Sequence, residues 1–191
     1  YGGYVGGLIG YHMGTVSGDY AKVTVSGRNY IGGLVGFSAG GVIASSYATG
    51  AVTGTGAWAG GLVGSSTGSK ISYSYASGNV KGYYYVGGLL GASGPDELSG
   101  ARGTISNSYA SGSVTGNGFY VGGLVGYLQL TTVGNSYASG NVKGSRYVGG
   151  FVGSASTATR SPRAATASIW PGSRTTPPRP PRSEEHTSEL Q

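Results

Sequence analysis

The dominant pattern along the chain is a glycine pair followed by two apolar residues and a third glycine, as in Gly60-Gly61-Leu62-Val63-Gly64. It recurs with leading glycines at Gly6, Gly32, Gly60, Gly87, Gly122 and Gly149, at steps of 26, 28, 27, 35 and 27 residues. A second marker, Tyr-Ala, follows at Tyr20, Tyr47, Tyr75, Tyr109 and Tyr137, and a third, Val-x-Gly, at Val25, Val52, Val80, Val114 and Val142. Three markers in a fixed order define an internal repeat. Between them, β-branched and aromatic residues stand at near-alternate positions bounded by Gly, Asn and Ser, which predicts three short strands per unit. A helix is disfavoured, because glycine at this frequency would cost roughly 0.5 to 1 kcal/mol per site.

A unit of about 27 residues built from strands predicts an all-β parallel β-solenoid, one coil per repeat. A single coil cannot bury its own apolar face, so Val, Leu and Ile must stack on their counterparts about 4.8 Å along the axis. The one long step holds a turn-rich insertion, residues 93–102, expected to loop out of the stack. The glycine doublet is expected at a corner or bulge, through positive φ or close backbone approach. A phosphate-cradling loop is not expected, since neither a Gly-x-Gly-x-x-Gly nor a Gly-Lys-Ser/Thr motif is present.

The segments Gly7-Leu8-Ile9-Gly10, Gly33-Leu34-Val35-Gly36, Gly61-Leu62-Val63-Gly64, Gly88-Leu89-Leu90-Gly91 and Gly123-Leu124-Val125-Gly126, each followed by a Tyr-Ala segment, resemble the GLUG repeat. The sixth copy, Gly150-Phe151-Val152-Gly153, departs at Leu, and the first unit lacks the Ser before Tyr20 and the Gly after it. The resemblance covers residues 1–153. It implies a non-catalytic repeat segment of a large bacterial surface or secreted protein, such as a filamentous-haemagglutinin-like adhesin, acting as an elongated stalk and adhesive surface. The alternatives it implies are the spacer region of a secreted metallopeptidase of the immunoglobulin A-cleaving kind and, more remotely, a carbohydrate-active β-helix. The expected location is extracellular or on the bacterial cell surface. Expected partners are host or matrix glycans or proteins, together with self-association through open coil ends.

Composition divides the chain. Of 41 Gly and 16 Tyr, residues 155–191 hold one Gly and no Tyr, yet they carry six of the seven Pro. Arg182 to Gln191 resembles the in-frame translation of a common sequencing adapter. The preceding 154–181 has the Pro, Arg, Thr and Ala bias of a gene read out of frame, so a disordered, non-native tail is expected. The chain starts at Tyr1 without Met and reads as an internal piece of a longer protein.

The formal charge of +6 is spread thinly, and Lys81 and Lys143 share a repeat position with Ser26, Thr53 and Thr115, a solvated site and no nucleic-acid stripe. The absence of Cys excludes a disulfide scaffold and a thiol nucleophile. No apolar run reaches the roughly 18 residues of a membrane helix, so no membrane insertion is expected in this segment. Acid chemistry has only Asp19, Asp96 and Glu97 to draw on within the repeats, with Asp96 and Glu97 adjacent in the insertion. His12 reads as an exposed loop residue. No catalytic, cofactor or metal residues are expected, and the protein is not expected to be an enzyme. The remaining candidate is the ladder Tyr47, Tyr75, Tyr109 and Tyr137, one repeat position stacked in register, either structural or a ligand-contact strip.

Overall fold

A computed structural model describes residues 3–156 and 159–160. It is built from parallel strands wound into a β-solenoid of stacked coils, one per repeat, and contains no helix among the described residues. The third coil is representative, with strands Ala57–Gly60, Val63–Thr67, Lys70–Ser72, Tyr75–Ala76 and Val80–Gly82. Each of the first five coils thus carries five strands where three were expected. The difference arises at corners where the chain takes positive φ: Gly68 (59°) separates the second strand from the third, and Tyr73 (50°) separates the third from the fourth. Alternation through such a corner reads in the sequence as one continuous strand.

Equivalent strands form five parallel sheets of five or six strands, each inner strand pairing with the preceding and following coil. Pairing is in register, so like residues stack: Val52 on Val80, Ile71 on Ile105, Tyr75 on Tyr109 and Ala76 on Ala110. The insertion leaves this register undisturbed. Its first two residues stay in the strand Leu90–Gly94, because Ser93 is buried and shares a hydrogen bond with Thr131 (2.9 Å); the excursion is 95–102. The sixth coil likewise continues past 153, with Val152–Ser156 paired to Val125–Gln129 and Thr159–Arg160 to Thr131–Gly134. The expectations for residues 161–191, the adapter resemblance included, lie outside the described residues.

The interior is divided in two. Leu34, Leu62, Leu89 and Leu124 with Ile43, Ile71 and Ile105 fill the larger core, and Ile31, Val52, Val80, Val86, Val114 and Val121 fill the smaller. The glycine doublet forms the waist between them. A Cβ on Gly61 would meet the Gly88 carbonyl oxygen and lie 2.8 Å from the Ala76 Cβ of the same coil; Gly33 and Gly88 stand in the same relation to Ala48 and Ala110. The doublet and the Tyr-Ala marker therefore recur together because they touch. Of the two roles expected of the doublets, positive φ is absent and close approach is present. Their role is close approach, and the left-handed corners fall mostly on larger residues.

A buried serine closes one corner in each of the second to fifth coils. Ser74 Oγ donates to the Ser72 carbonyl (2.8 Å) and accepts the Ser46 N–H of the coil before (3.1 Å); Ser46, Ser108 and Ser136 repeat the arrangement. Each hydroxyl thus satisfies two backbone groups that the turn removes from the ladder.

Candidate functional site

The tyrosine ladder identified in the sequence forms as a stack. Tyr20, Tyr47, Tyr75, Tyr109 and Tyr137 have ring centroids 5.1, 4.8, 4.9 and 5.0 Å apart and planes within 8° of parallel. Tyr47, Tyr75 and Tyr109 are half-buried, so the ladder lies along the outer surface. Burial, with Tyr75 and Tyr137 alongside, raises the Tyr109 phenol above its ordinary value and keeps it protonated. The inner rings cover one another's faces and present edges and hydroxyls outward. That geometry suits coil stacking, at about 0.5 to 1.5 kcal/mol per pair, and leaves no free inner ring face for a ligand.

A second aromatic ladder was not identified from the sequence. Tyr4, Tyr30, Trp58, Tyr85, Tyr120 and Tyr147 occupy the position two residues before each glycine doublet, with successive centroids 4.9, 4.3, 5.7, 5.0 and 5.0 Å apart. The recurrence of an aromatic before Val-Gly-Gly or its equivalent was the available signal. All but Tyr4 sit at positive φ, between 51° and 65°. A bulky side chain pays about 1 to 3 kcal/mol for that conformation. Two features accommodate it: each ring stacks on its neighbours, and the third glycine of the motif admits the corner backbone, Gly91 lying where a Cβ would be 2.7 Å from the Tyr85 carbonyl.

Beside this ladder the second strands carry another column in register: Tyr11, Phe37, Ser65, Ala92, Tyr127 and Ser154. Tyr11 and Phe37 stack at 5.6 Å with planes 21° apart. The column then loses its rings for two coils and regains one at Tyr127. The gap is a slot of about 540 Å³. Ser65 and Ala92 floor it, Phe37 and Tyr127 close its two ends, and Tyr30, Trp58 and Tyr85 line one side. The opposite side consists of Thr67, Gly94, Gln129 and the inserted loop at Asp96, Glu97 and Leu98.

The loop is held in place by its own hydrogen bonds. Asp96 Oδ1 accepts the backbone N–H groups of Ser99 (2.7 Å) and Leu98 (3.1 Å) and the Ser99 hydroxyl (2.9 Å), which holds the Asp96 carboxyl below its ordinary pKa. The Asp96 N–H donates to the Ala101 carbonyl (2.9 Å). The closed turn packs on Gly68 of the third coil, where a Cβ would stand 2.8 Å from the Asp96 Cβ. Asp96 and Glu97 thereby reach the slot, and Leu98 is fully exposed at the tip.

His12 corrects its expected placement. It is 4 % exposed, within the strand Ile9–His12, because it takes the inward register position of Ser38, Ser66 and Ser93. Its Nδ1 shares a hydrogen bond with Ser38 Oγ (3.0 Å), and Ser69 Oγ donates to that same hydroxyl (3.0 Å). Burial lowers its pKa. Asp19 lies on the exterior and accepts the Ser17 N–H (3.2 Å), far in the repeat from the Asp96 loop. Among the described residues no three His, Cys, Asp or Glu side chains converge as a metal-binding group.

Comparisons with curated proteins and with solved structures return no match. A family model, the GLUG motif, matches residues 27–53, 59–81, 82–115 and 117–143, four successive units that between them hold the doublets, the Tyr-Ala corners and the Val-x-Gly strands described above. The first coil, which has Asp19 in place of the corner serine, lies outside the match. With more than half of its residues matched in consecutive repeats, this chain belongs to the GLUG-motif family.

Proposed function

We propose that this chain is a repeat segment of a cell-surface or secreted adhesin-like protein, acting as a stalk that also presents an adhesive surface. The observation that carries the reading is the in-register stack itself. Each repeat adds one coil, about 4.8 Å of rise, so tandem repeats lengthen the rod without altering its section. The surface supports the adhesive part. It carries ordered rows of Tyr, Ser, Asn and Lys side chains, and rigid aromatic residues make large contacts at low entropic cost. Catalysis finds little to use: the carboxylates of the described coils are Asp19, Asp96 and Glu97, and the adjacent Asp96 and Glu97 share one solvated loop instead of flanking a scissile bond. No helix among the described residues is long and apolar enough to cross a membrane.

The reading is tested on intact cells and with purified protein. Antibodies raised against the chain are expected to label unpermeabilised source cells, and beads coated with the chain are expected to be retained on immobilised matrix glycoproteins under flow. Labelling that appears only after permeabilisation, or turnover of a polysaccharide or peptide by the purified chain, would overturn it.

A further inference from the structure

The slot between Phe37 and Tyr127 has the attributes of a built binding site. At about 540 Å³ it falls within the roughly 300 to 1,000 Å³ of small-molecule sites, and like them it combines aromatic walls with a few polar groups. It spans three coil steps, about 14 Å from Phe37 to Tyr127. Its position is encoded by substitution at one register position, where the rings of coils one, two and five give way to Ser65 and Ala92. Its rim comes from the one insertion in the repeats, packed back on Gly68.

The lining selects the ligand class. Asp96 and Glu97 stand at the rim and no Lys or Arg lines the slot, so an anionic ligand would meet like charge. Trp58 and Tyr85 stack on each other with planes 7° apart, so neither offers the slot a face for cation–π contact. Phe37 is packed among three rings, Tyr11 at 5.6 Å, Tyr4 at 5.3 Å and Tyr30 at 5.6 Å, and in the next coil Ser65 takes its register position without a ring. Aromatic lining bordered by hydroxyl, amide and carboxylate groups matches a molecule with apolar C–H faces and a polar perimeter.

We propose that the slot binds a neutral pyranose-containing oligosaccharide, its C–H faces packing between Phe37 and Tyr127 and its hydroxyls engaging Ser65, Thr67, Gln129, Asp96 and Glu97. This deepens, and rests on, the adhesive reading given above. Trp58 lines the slot and serves as the reporter, with Trp170→Phe removing the second indole of the chain. The full chain is titrated with cellotetraose, maltotetraose and tetra-N-acetylchitotetraose, and in parallel with tetragalacturonate and the glucosamine tetramer. At least one neutral tetramer is expected to shift Trp58 emission saturably. Ala92→Tyr restores the ring that coils one, two and five already accommodate at this register; it is expected to weaken binding at least about tenfold at an unchanged thermal midpoint. The exposed substitution Glu97→Gln, at a residue that makes none of the loop's closing hydrogen bonds described above, is expected to weaken it several-fold and provides an independent test should Ala92→Tyr disturb folding. Absence of a response to every neutral tetramer, response to a charged tetramer alone, or undiminished binding in both variants would overturn the proposal. Bead retention that persists in Ala92→Tyr would remove the slot while leaving the adhesive stalk in place; loss of surface labelling would remove the latter.

Discussion

Tyr85 concentrates the physical conflict of this fold in one residue. Its backbone holds φ 54°, a conformation that costs a non-glycine residue of order 1 kcal/mol or more, while its ring stacks on Trp58 and Tyr120. Burial, with Tyr120 and Tyr127 nearby, raises its phenol pKa, so the hydroxyl remains a neutral donor at the wall of the slot. The two contributions separate by substitution. Tyr85→Ala removes the stack and keeps the conformational cost, whereas Tyr85→Gly removes both. Urea unfolding is therefore expected to find Tyr85→Gly more stable than Tyr85→Ala by about 1 kcal/mol, the reverse of the usual order within a strand. Equal stability, or the usual order, would mean that the corner relaxes away from positive φ once the ring is gone. At this scale the sequence was only half legible. The tyrosine at Tyr47, Tyr75, Tyr109 and Tyr137 announced itself through the invariable Ala beside it, but the ring at Tyr30, Trp58 and Tyr85 changes type and lies next to the more conspicuous doublet. Positive φ is ordinarily a glycine signal, and here glycine marks the waist while aromatics take the corner.

At the scale of the element, the coil was legible and its subdivision was not. The Gly-Gly doublet, Tyr-Ala and Val-x-Gly each mark a contact that every coil repeats, so their order and spacing carry the stacking direction, the parallel pairing and the register. The corners at Ser45, Tyr73, Asn107 and Asn135 share a conformation across three residue types, none of them Gly, and so the third and fourth strands merge in the sequence into one. The insertion behaves as an independent element for a physical reason: it is closed by its own hydrogen bonds at Asp96, and the strands on either side, Leu90–Gly94 and Gly103–Ser106, keep their partners. Its excision therefore has a definite outcome. Replacing residues 95–102 with a single Gly, which fills the corner that Gly68 and Leu130 make in the neighbouring coils, is expected to preserve the far-ultraviolet β signal and shift the thermal midpoint by no more than a few degrees, because surface loops contribute little packing. The same variant is expected to lose affinity for the neutral tetramers. Collapse of the β signal would show instead that the loop clamps the third and fourth coils together.

For the molecule as a whole, stability accumulates along one axis. The first five coils contact their neighbours through five short parallel ladders and two narrow cores. Stability in such an array is approximately a sum of unit and nearest-neighbour contributions, so it is unevenly distributed. The third and fourth coils have a neighbour on each side, whereas Val5–Gly6 in the first described coil pairs on one side only, with Ile31–Gly32. The slot bears on the same axis, since its walls come from coils two to five and exist only while those coils are stacked. Backbone hydrogen exchange is expected to show a gradient, slowest at Val63, Leu62 and Leu89 and faster toward Val5 and Arg146. Saturation with a bound neutral tetramer is expected to slow exchange across coils two to five together, because a ligand that requires the stack stabilises all of it. Uniform protection along the chain would mean that the coils unfold as one cooperative unit. Protection confined to the inserted loop would place the ligand on that loop alone.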